Sequence, residues 1–303
     1  MEVYGPCGVR RGEGWELAWR PPDRRLRPGV LSYRGYHLRL GQPRSRLELP
    51  TGTVTLLFGF EGRLLLTDVS QRGRAAGTAV SCEATAYSSL VSAVRPCATI
   101  GRHDGHLSGI EVVLEPWAAY NLLGVAMHDW AGQIVDASLL TGDRMCVVND
   151  MLTAMPRWEE RFALLDETFI RWRADGPAYS PRVLWAWREL CRTSGAVPIR
   201  HLAECTGWSW RQFEQRFREQ IGATAKTAAR IMRLQKALTL LEAGRPLPQT
   251  AMACGFSDQS HLTREIRAMT GRTGPQLTVV RGKSREEPSA LDRVSGQVSS
   301  VLV

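Results

Sequence analysis

The chain has little that would mark it as a membrane, secreted or metal-binding protein. No run of about twenty apolar residues occurs in its 303 residues, which argues against a transmembrane helix. The opening stretch MEVYGPCGVRRGEGWELAW has no apolar core of signal length, so a cytoplasmic protein with no membrane partner is expected. The seven cysteines (Cys7, Cys82, Cys97, Cys146, Cys191, Cys205 and Cys254) are odd in number, scattered, and form no C-x-x-C pair. A disulfide framework or a zinc site is therefore disfavoured, and reduced thiols packed as small apolar residues are expected. Gly-x-Ser-x-Gly and a Gly-rich phosphate loop are also missing, and no cysteine stands beside a base in sequence. Neither an enzyme nor a bound cofactor is expected. His103 and His106 have the H-x-x-H spacing that can ligate zinc, but no third ligand and no helical Glu accompany them, so no metal is expected.

What is present is positive charge, and it is concentrated. The formal net charge is +9, while residues 181–283 hold 17 Lys plus Arg against 7 Asp plus Glu, an excess of +10, which leaves −1 for the remainder. Such a field attracts phosphate and speeds encounter with nucleic acid, although a basic surface alone equally suits an anionic membrane.

The stretch TAMACGFSDQSHLTREIRAMTGRTGPQL, residues 250–277, reads as helix, tight turn and second helix. Ala251 and Ala253 keep the first helix thin, Gly255 supplies a permissive turn backbone, and Phe256 anchors it. Ser257 is the expected N-cap, with Asp258 complementing the helix dipole. Leu262, Ile266 and Met269, at spacings of four and three, form the buried stripe. Gln259, Ser260, Thr263, Arg264 and Arg267 then fall where a DNA groove could be read or its phosphates held. An ordinary solvated amphipathic helix would show the same pattern, but residues 199–221 repeat the plan. Ile199, Leu202 and Ala203 lie on a first helix, Gly207 at the turn, Ser209 as N-cap, and Phe213, Phe217 and Ile221 on the next helix. The outer face of that helix offers Trp210, Arg211, Glu214, Gln215 and Arg218. Between the two units, Ile231, Leu234, Leu238 and Leu241 define one helix of about five turns over 225–243, with Arg230, Arg233 and Lys236 off the stripe. It is a spacer able to set two modules roughly one DNA turn, about 34 Å, apart.

Residues 195–277 resemble the DNA-binding domain of AraC/XylS-family transcriptional regulators. The resemblance is carried by Leu202-Ala203, Gly207, Ser209, Phe213, Phe217 and Gly222; by Arg230, Arg233-Leu234 and Ala237; and by Ala251, Gly255-Phe256, Gln259-Ser260-His261-Leu262, Arg264 and Gly271. It implies two helix-turn-helix units whose second helices enter successive major-groove segments. The base-reading positions would then be Trp210, Arg211 and Glu214, and Gln259, Ser260, His261 and Arg264. It also implies double-stranded promoter DNA as partner, contact with RNA polymerase, a small-molecule effector and a homodimer. The chain departs from the family pattern at Trp210, which stands near where a proline is usual, at Thr273-Gly274-Pro275, where the proline is displaced by one residue, and at Ile266 in place of an aromatic.

The fold class expected is α+β: a small N-terminal β-sandwich or barrel, cupin-like, with following helices, then an all-α domain of two helix-turn-helix units joined by a long helix. Residues 1–29, rich in Arg, Pro and Gly, read as a flexible lead-in that joins a sheet. Residues 30–180 read as a sensor and dimerisation domain, with strands in 30–115 at 30–40, 53–60, 64–69, 79–86 and 110–114, and helices in 116–175. The expected helices are 117–124, 127–134, 143–154 and 157–174, the last with Trp158, Phe162, Leu165 and Phe169 inward and Glu159, Glu160, Arg161 and Asp166 wet. Residues 181–283 hold the DNA-binding domain and 284–303 a disordered tail. The segment Ile110–Tyr120 is similar to one in sensor domains of the same family, and it names no ligand.

Trp158, Trp172, Trp185 and Trp187 read as packing between elements before they read as an aromatic ligand box. Two other functions fit parts of the sequence. One is a nucleoid-type protein that binds DNA without sequence preference. The other is a thiol-dependent repair protein accepting an alkyl group on Cys82 or Cys97, although the Pro-Cys-His-Arg motif of such proteins is absent, Cys97 being followed by Ala98 and Thr99.

Overall fold

A computed structural model describes residues 8–69, 84–274, 276–277, 293–294, 297–298 and 300–302. Its N-terminal half is built from antiparallel strands: β1 (Gly8–Gly12), β2 (Trp15–Arg20), β3 (Val30–Arg39), β4 (Arg44–Glu48), β5 (Val54–Glu61), β6 (Leu64–Asp68), β7 (Thr85–Tyr87), β8 (Leu90–Ser92), β9 (Thr99–His103), β10 (His106–Leu114) and β11 (Ile134–Asp136). A short ribbon of β12 (Arg293–Val294) and β13 (Gln297–Val298) is followed by β14 (Ser300–Leu302). One sheet runs β1-β2-β3-β10-β5-β8-β11 and the other β14-β4-β9-β6-β7. The sandwich expected from the sequence is present, and the helical domain follows it.

Both faces of the larger sheet are covered, and they differ in chemistry. Along β3, β5 and β10 one set of alternating side chains, Tyr33, Val54, Leu56, Phe58, Ile110, Val112 and Leu114, joins the main hydrophobic core together with Phe162 and Phe169. Those two aromatics come from α4 (Trp158–Asp175), and Tyr33 stacks on Phe162 with ring centroids 5.9 Å apart. The period of two along the strands and of about 3.6 along the helix brings the two apolar stripes together. The opposite set (Arg34, Tyr36, Thr55, Leu57 and Glu111) turns toward the smaller sheet and lines a cavity.

Several elements differ from the sequence reading. The lead-in 1–29 contains the β1–β2 hairpin, paired to β3 with Trp15 opposite Leu38 and Arg20 opposite Tyr33, so residues 8–20 are an integral edge of the sheet. Asp166, expected on the wet face of α4, is only 5% exposed. It pairs with Arg20, accepts 2.9 Å and 3.0 Å hydrogen bonds from the Asp23 amide and the Tyr33 hydroxyl, and so ties the hairpin to the helix. Strands β4, β8 and β9 are short and interrupted by Arg, Ser or Gly, which hid their alternation. The helix expected over 127–134 is one 3-10 turn at Met127–Trp130, followed by β11. Within the tail expected to be disordered, Ser300–Leu302 pairs with Arg46–Glu48 as β14. The strand expected at 79–86 is described from Thr85 on, and residues 79–83 lie outside the described residues.

The remaining helices are α1 (Pro116–Leu123), α2 (Ala137–Thr141), α3 (Asp143–Ala154), α5 (Pro181–Arg192), α6 (Ile199–Thr206), α7 (Trp210–Ile221), α8 (Ala225–Glu242), α9 (Leu247–Ala253) and α10 (Gln259–Thr270). The 18 residues of α8 span roughly 27 Å at ~1.5 Å per residue. The helical half packs on the sandwich through both of its units. Trp117 and Ala118 of α1 share a core with Trp187, Phe213 and Phe217, while Ile231, Leu234, Leu262 and Ile266 belong to the core that fills the sandwich.

Candidate nucleic-acid interface and inter-sheet cavity

The first unit is α6, a turn at Gly207 and α7. Gly207 sits at φ 66°, a left-handed conformation that closes α6 and that an L side chain rarely adopts. Ser209 then caps α7: its hydroxyl accepts from the Gln212 amide at 3.4 Å, and the Ser209 amide donates back to Gln212 Oε1 at 3.1 Å. This reciprocal cap fixes the start of the helix and occupies Gln212. Phe213, Phe217 and Ile221 are fully buried, which sets the opposite face outward. Trp210, 53% exposed, Arg211, Gln215 and Arg218 are exposed there, and Glu214 is half-buried, its carboxyl pushed up by burial.

In the second unit the cap is Asp258, not Ser257. The Asp258 carboxylate accepts from the His261 amide at 2.7 Å, which holds its pKa below the usual carboxylate range. Ser257 Oγ instead lies 3.2 Å from His261 Nδ1. Aspartate wins because it brings the same acceptor geometry plus a full negative charge at the helix N-terminus. Gln259, Ser260, Arg264 and Arg267 are exposed on α10, with Leu262, Ile266 and Met269 buried beneath them. The other two predicted readers are partly engaged within the unit. The His261 ring meets Phe256 edge-on at 5.2 Å, and Thr263 Oγ1 donates to Gln259 O at 2.9 Å.

The basic residues of the spacer have a role that the sequence reading missed. Arg230 pairs with Glu265 of α10 at 2.6 Å, Lys236 Nζ donates to Ala253 O at the end of α9 at 2.7 Å, and Arg233 lies over the Phe256 ring at 5.4 Å. All three hold the second unit against α8. Their spacing of three along one helix was the available signal, but only the fold shows that the face they occupy meets another helix.

Contacts from the sandwich reach both units. Trp187 Nε1 of α5 donates to Glu115 Oε2 at 2.6 Å, and burial raises the Glu115 carboxyl to about 7 although that hydrogen bond opposes the shift. Gln235 Nε2 of α8 donates to Pro50 O at 2.6 Å. The Ala98 amide donates to Met269 O of α10 at 2.7 Å. Gly271, at φ 68°, closes α10, and a Cβ there would stand 2.4 Å from Val69 Cγ1, so the approach of the two halves requires glycine.

Between the sheets lies a cavity of about 240 Å³. Its apolar side is the separate cluster Leu57, Leu66 and Leu90, with Tyr36, Leu64 and Ile134 against it. Arg34, Arg44, Arg46 and Arg95 line the rest with Glu48, Glu111 and His103. Arg34 pairs with Glu111, Arg95 with Asp68 at 2.9 Å, and Arg46 Nε donates to Ser300 Oγ at 3.1 Å.

His103 is 7% exposed and lines this cavity, whereas His106 is exposed and 3.8 Å from Asp104. No cluster of three or more His, Cys, Asp or Glu able to hold a metal occurs among the described residues. Cys97 lines the cavity as a thiol whose pKa is raised by burial, which works against the thiolate an alkyl acceptor needs. Cys82 lies outside the described residues. Trp158 packs on Phe162, Trp172 on Phe169 and Trp187 on Phe217, so these tryptophans do not form one box. No helix among the described residues is long and apolar enough to cross a membrane.

Two capped helix-turn-helix units with outward polar faces, joined by a helix that braces the second, define a DNA-binding protein of the helix-turn-helix class. Residues 202–276 match the family model described as a helix-turn-helix domain, and that segment is a helix-turn-helix domain of the AraC/XylS type. No curated protein matches the chain. Among solved structures, ToxT from Vibrio cholerae is 8% identical with a TM-score of 0.44, over 82% of this chain and 98% of that one. The C-terminal domain of AraT, a response regulator from Geobacillus stearothermophilus, is 18% identical with a TM-score of 0.33, over 37% of this chain and 94% of that one. The xylose-binding transcription activator xylR is 19% identical with a TM-score of 0.30, over 33% of this chain and 27% of that one.

Proposed function

We propose that the chain is a sequence-specific transcriptional regulator of promoter DNA, with α7 and α10 each reading a major-groove segment and the sandwich holding a small-molecule effector. The observation that carries the first part is the pair of exposed recognition faces, each standing on a fully buried apolar stripe. Arg211, Gln215 and Arg218 on α7, and Gln259, Ser260 and Arg264 on α10, are exposed donors suited to base edges or phosphates. Trp210, at the first turn of α7, offers an indole that suits a thymine methyl or a sugar face. Glu214, His261 and Thr263 act as supports or secondary contacts, since each is half-buried. The cavity with its charged lining supports the effector reading.

Selection of bound sequences from a random duplex pool tests this reading. A recovered motif of two half-sites about one helical turn apart is expected. Enrichment of no motif, with binding that follows salt alone, would mean a non-specific nucleoid-type protein instead.

A further inference from the structure

We propose that Arg182 of α5 and Arg233 of α8 grip the DNA backbone, each making a phosphate contact at the turn of one helix-turn-helix unit. The inference deepens the regulator reading and rests on it, since it adds to each recognition helix a contact that carries no sequence information. The two turns are built alike. Gly207 and Gly255, at φ 66° and 72°, are each followed by an aromatic residue, Trp208 or Phe256, and the capped start of α7 or α10 comes next. An arginine from the helix that precedes the unit lies over each ring. Arg182 Cζ is 5.2 Å from the Trp208 centroid, and Arg233 Cζ is 5.4 Å from that of Phe256. The chain between arginine and ring differs in length between the two units, yet the pairing is the same.

Attraction to a ring face fixes a cation without an acceptor atom, so N–H donors remain for another partner. Elsewhere in the helical half Arg192, Arg216 and Arg230 are neutralised by Glu189, Glu219 and Glu265. Arg182 and Arg233 have no carboxylate partner and no hydrogen-bond acceptor among the described residues. Arg182 is exposed. Arg233 is half-buried with its Nε enclosed, which leaves its Nη groups as the donors it can present. Position then selects the ligand. A recognition helix enters the major groove by its N-terminal end while the helix before it crosses the backbone, so the turn between them stands over a sugar-phosphate strand. A guanidinium held against that turn meets a phosphate oxygen, whose charge and geometry its planar fork matches. The ring fixes the side chain before DNA arrives, which reduces the rotamer entropy lost on contact. Arg182 lies outside the matched residues 202–276, so in the first unit the grip extends the DNA-binding surface back onto α5.

The test measures binding of the full chain to the selected duplex and to a scrambled duplex by fluorescence anisotropy, from about 50 to about 200 mM salt. Arg182→Gln and Arg233→Gln are each expected to weaken both duplexes by the same factor, about three- to tenfold. Each is expected to lower the slope of log affinity against log salt by about 0.9, and the double variant by about twice that. Arg182→Lys, which keeps the charge, is expected to retain the parent's slope. An unchanged slope in either glutamine variant overturns the contact assigned to that arginine, because a residue that only packs its turn changes stability and not counterion release. A loss confined to the selected duplex overturns it as well, since that would make the arginine a base reader. Should Arg233→Gln fail to fold, neutral methylphosphonates placed singly along the selected duplex decide for the second unit. A sensitive phosphate is expected beside each half-site, and insensitivity beside the second overturns the Arg233 contact. If the selection yields no motif, the slopes on an arbitrary duplex still test both arginines, so failure of the inference is told apart from failure of the sequence-specific reading.

Discussion

Glu115→Gln should make the protein more stable above neutral pH and leave it nearly unchanged in mild acid. Glu115 ends β10's run into α1 and accepts the Trp187 indole proton, so it sits where the sandwich meets the first helix of the DNA-binding half. Its folded-state pKa of about 7, against an ordinary 4.5, means that the folded protein keeps a proton there which the unfolded chain has lost. The stabilising contribution of that proton is fully present below about pH 4.5 and is lost as pH rises through about 7. A full shift of this size corresponds to roughly 3 kcal/mol. The residue as a whole is half-buried, and solvent screening brings the expected effect down to about 2 kcal/mol. Glutamine keeps an acceptor for Trp187 without the charge. Thermal melts of parent and variant at pH 5 and pH 8 should therefore differ by about 4 °C more at pH 8 than at pH 5, with the variant higher. Parallel pH dependence of the two proteins would refute the argument, because it would mean that the carboxylate ionises at the interface without cost.

Three further outcomes are expected. Arg264→Ala should lose about 1–3 kcal/mol against the selected duplex and blur preference at one base position, and a variant that binds cognate and scrambled duplex as the parent does would remove Arg264 from the reading face. Gly271→Ala should cost about 1–3 kcal/mol in urea denaturation, because its left-handed backbone and the Val69 contact both exclude a Cβ, and a neutral result would show that the two halves do not approach as closely as described. Phe217→Ala, which empties a fully buried site between Trp187 and Phe213, should cost about 3–5 kcal/mol and abolish binding by the first unit, and a stable variant would contradict the packing of that unit.

The helical half was legible in the sequence because its determinants are local. Apolar residues three and four apart, a serine or aspartate at the start of α7 and of α10, and glycine at each turn are set within a few residues of chain, and the same signals fix which side chains of α7 and α10 are left outside. The choice between Ser257 and Asp258 as cap was not legible, since both neighbouring residues carry a side-chain acceptor able to reach the first turn. The sandwich was legible only in its long strands. Strands β4 and β9 interleave charged or small residues with apolar ones because one of their faces lines a cavity, and β8 is only three residues long, so all three look like loop. Asp166 reads as a surface residue, nothing in the sequence marks Arg34 for burial, and Arg230, Arg233 and Lys236 read as basic side chains off the buried stripe. What buries or engages them comes from elsewhere in the chain: the hairpin 8–20 for Asp166, β10 for Arg34, and α9, α10 and the turn between them for the three basic residues. The sequence alone thus determined two helix-turn-helix units and their outward faces. The inter-sheet cavity, the anchors that join it to α8 and α10, and the carboxyl of Glu115 at the interface were decided by tertiary structure, because each depends on residues far apart in sequence meeting where water is scarce.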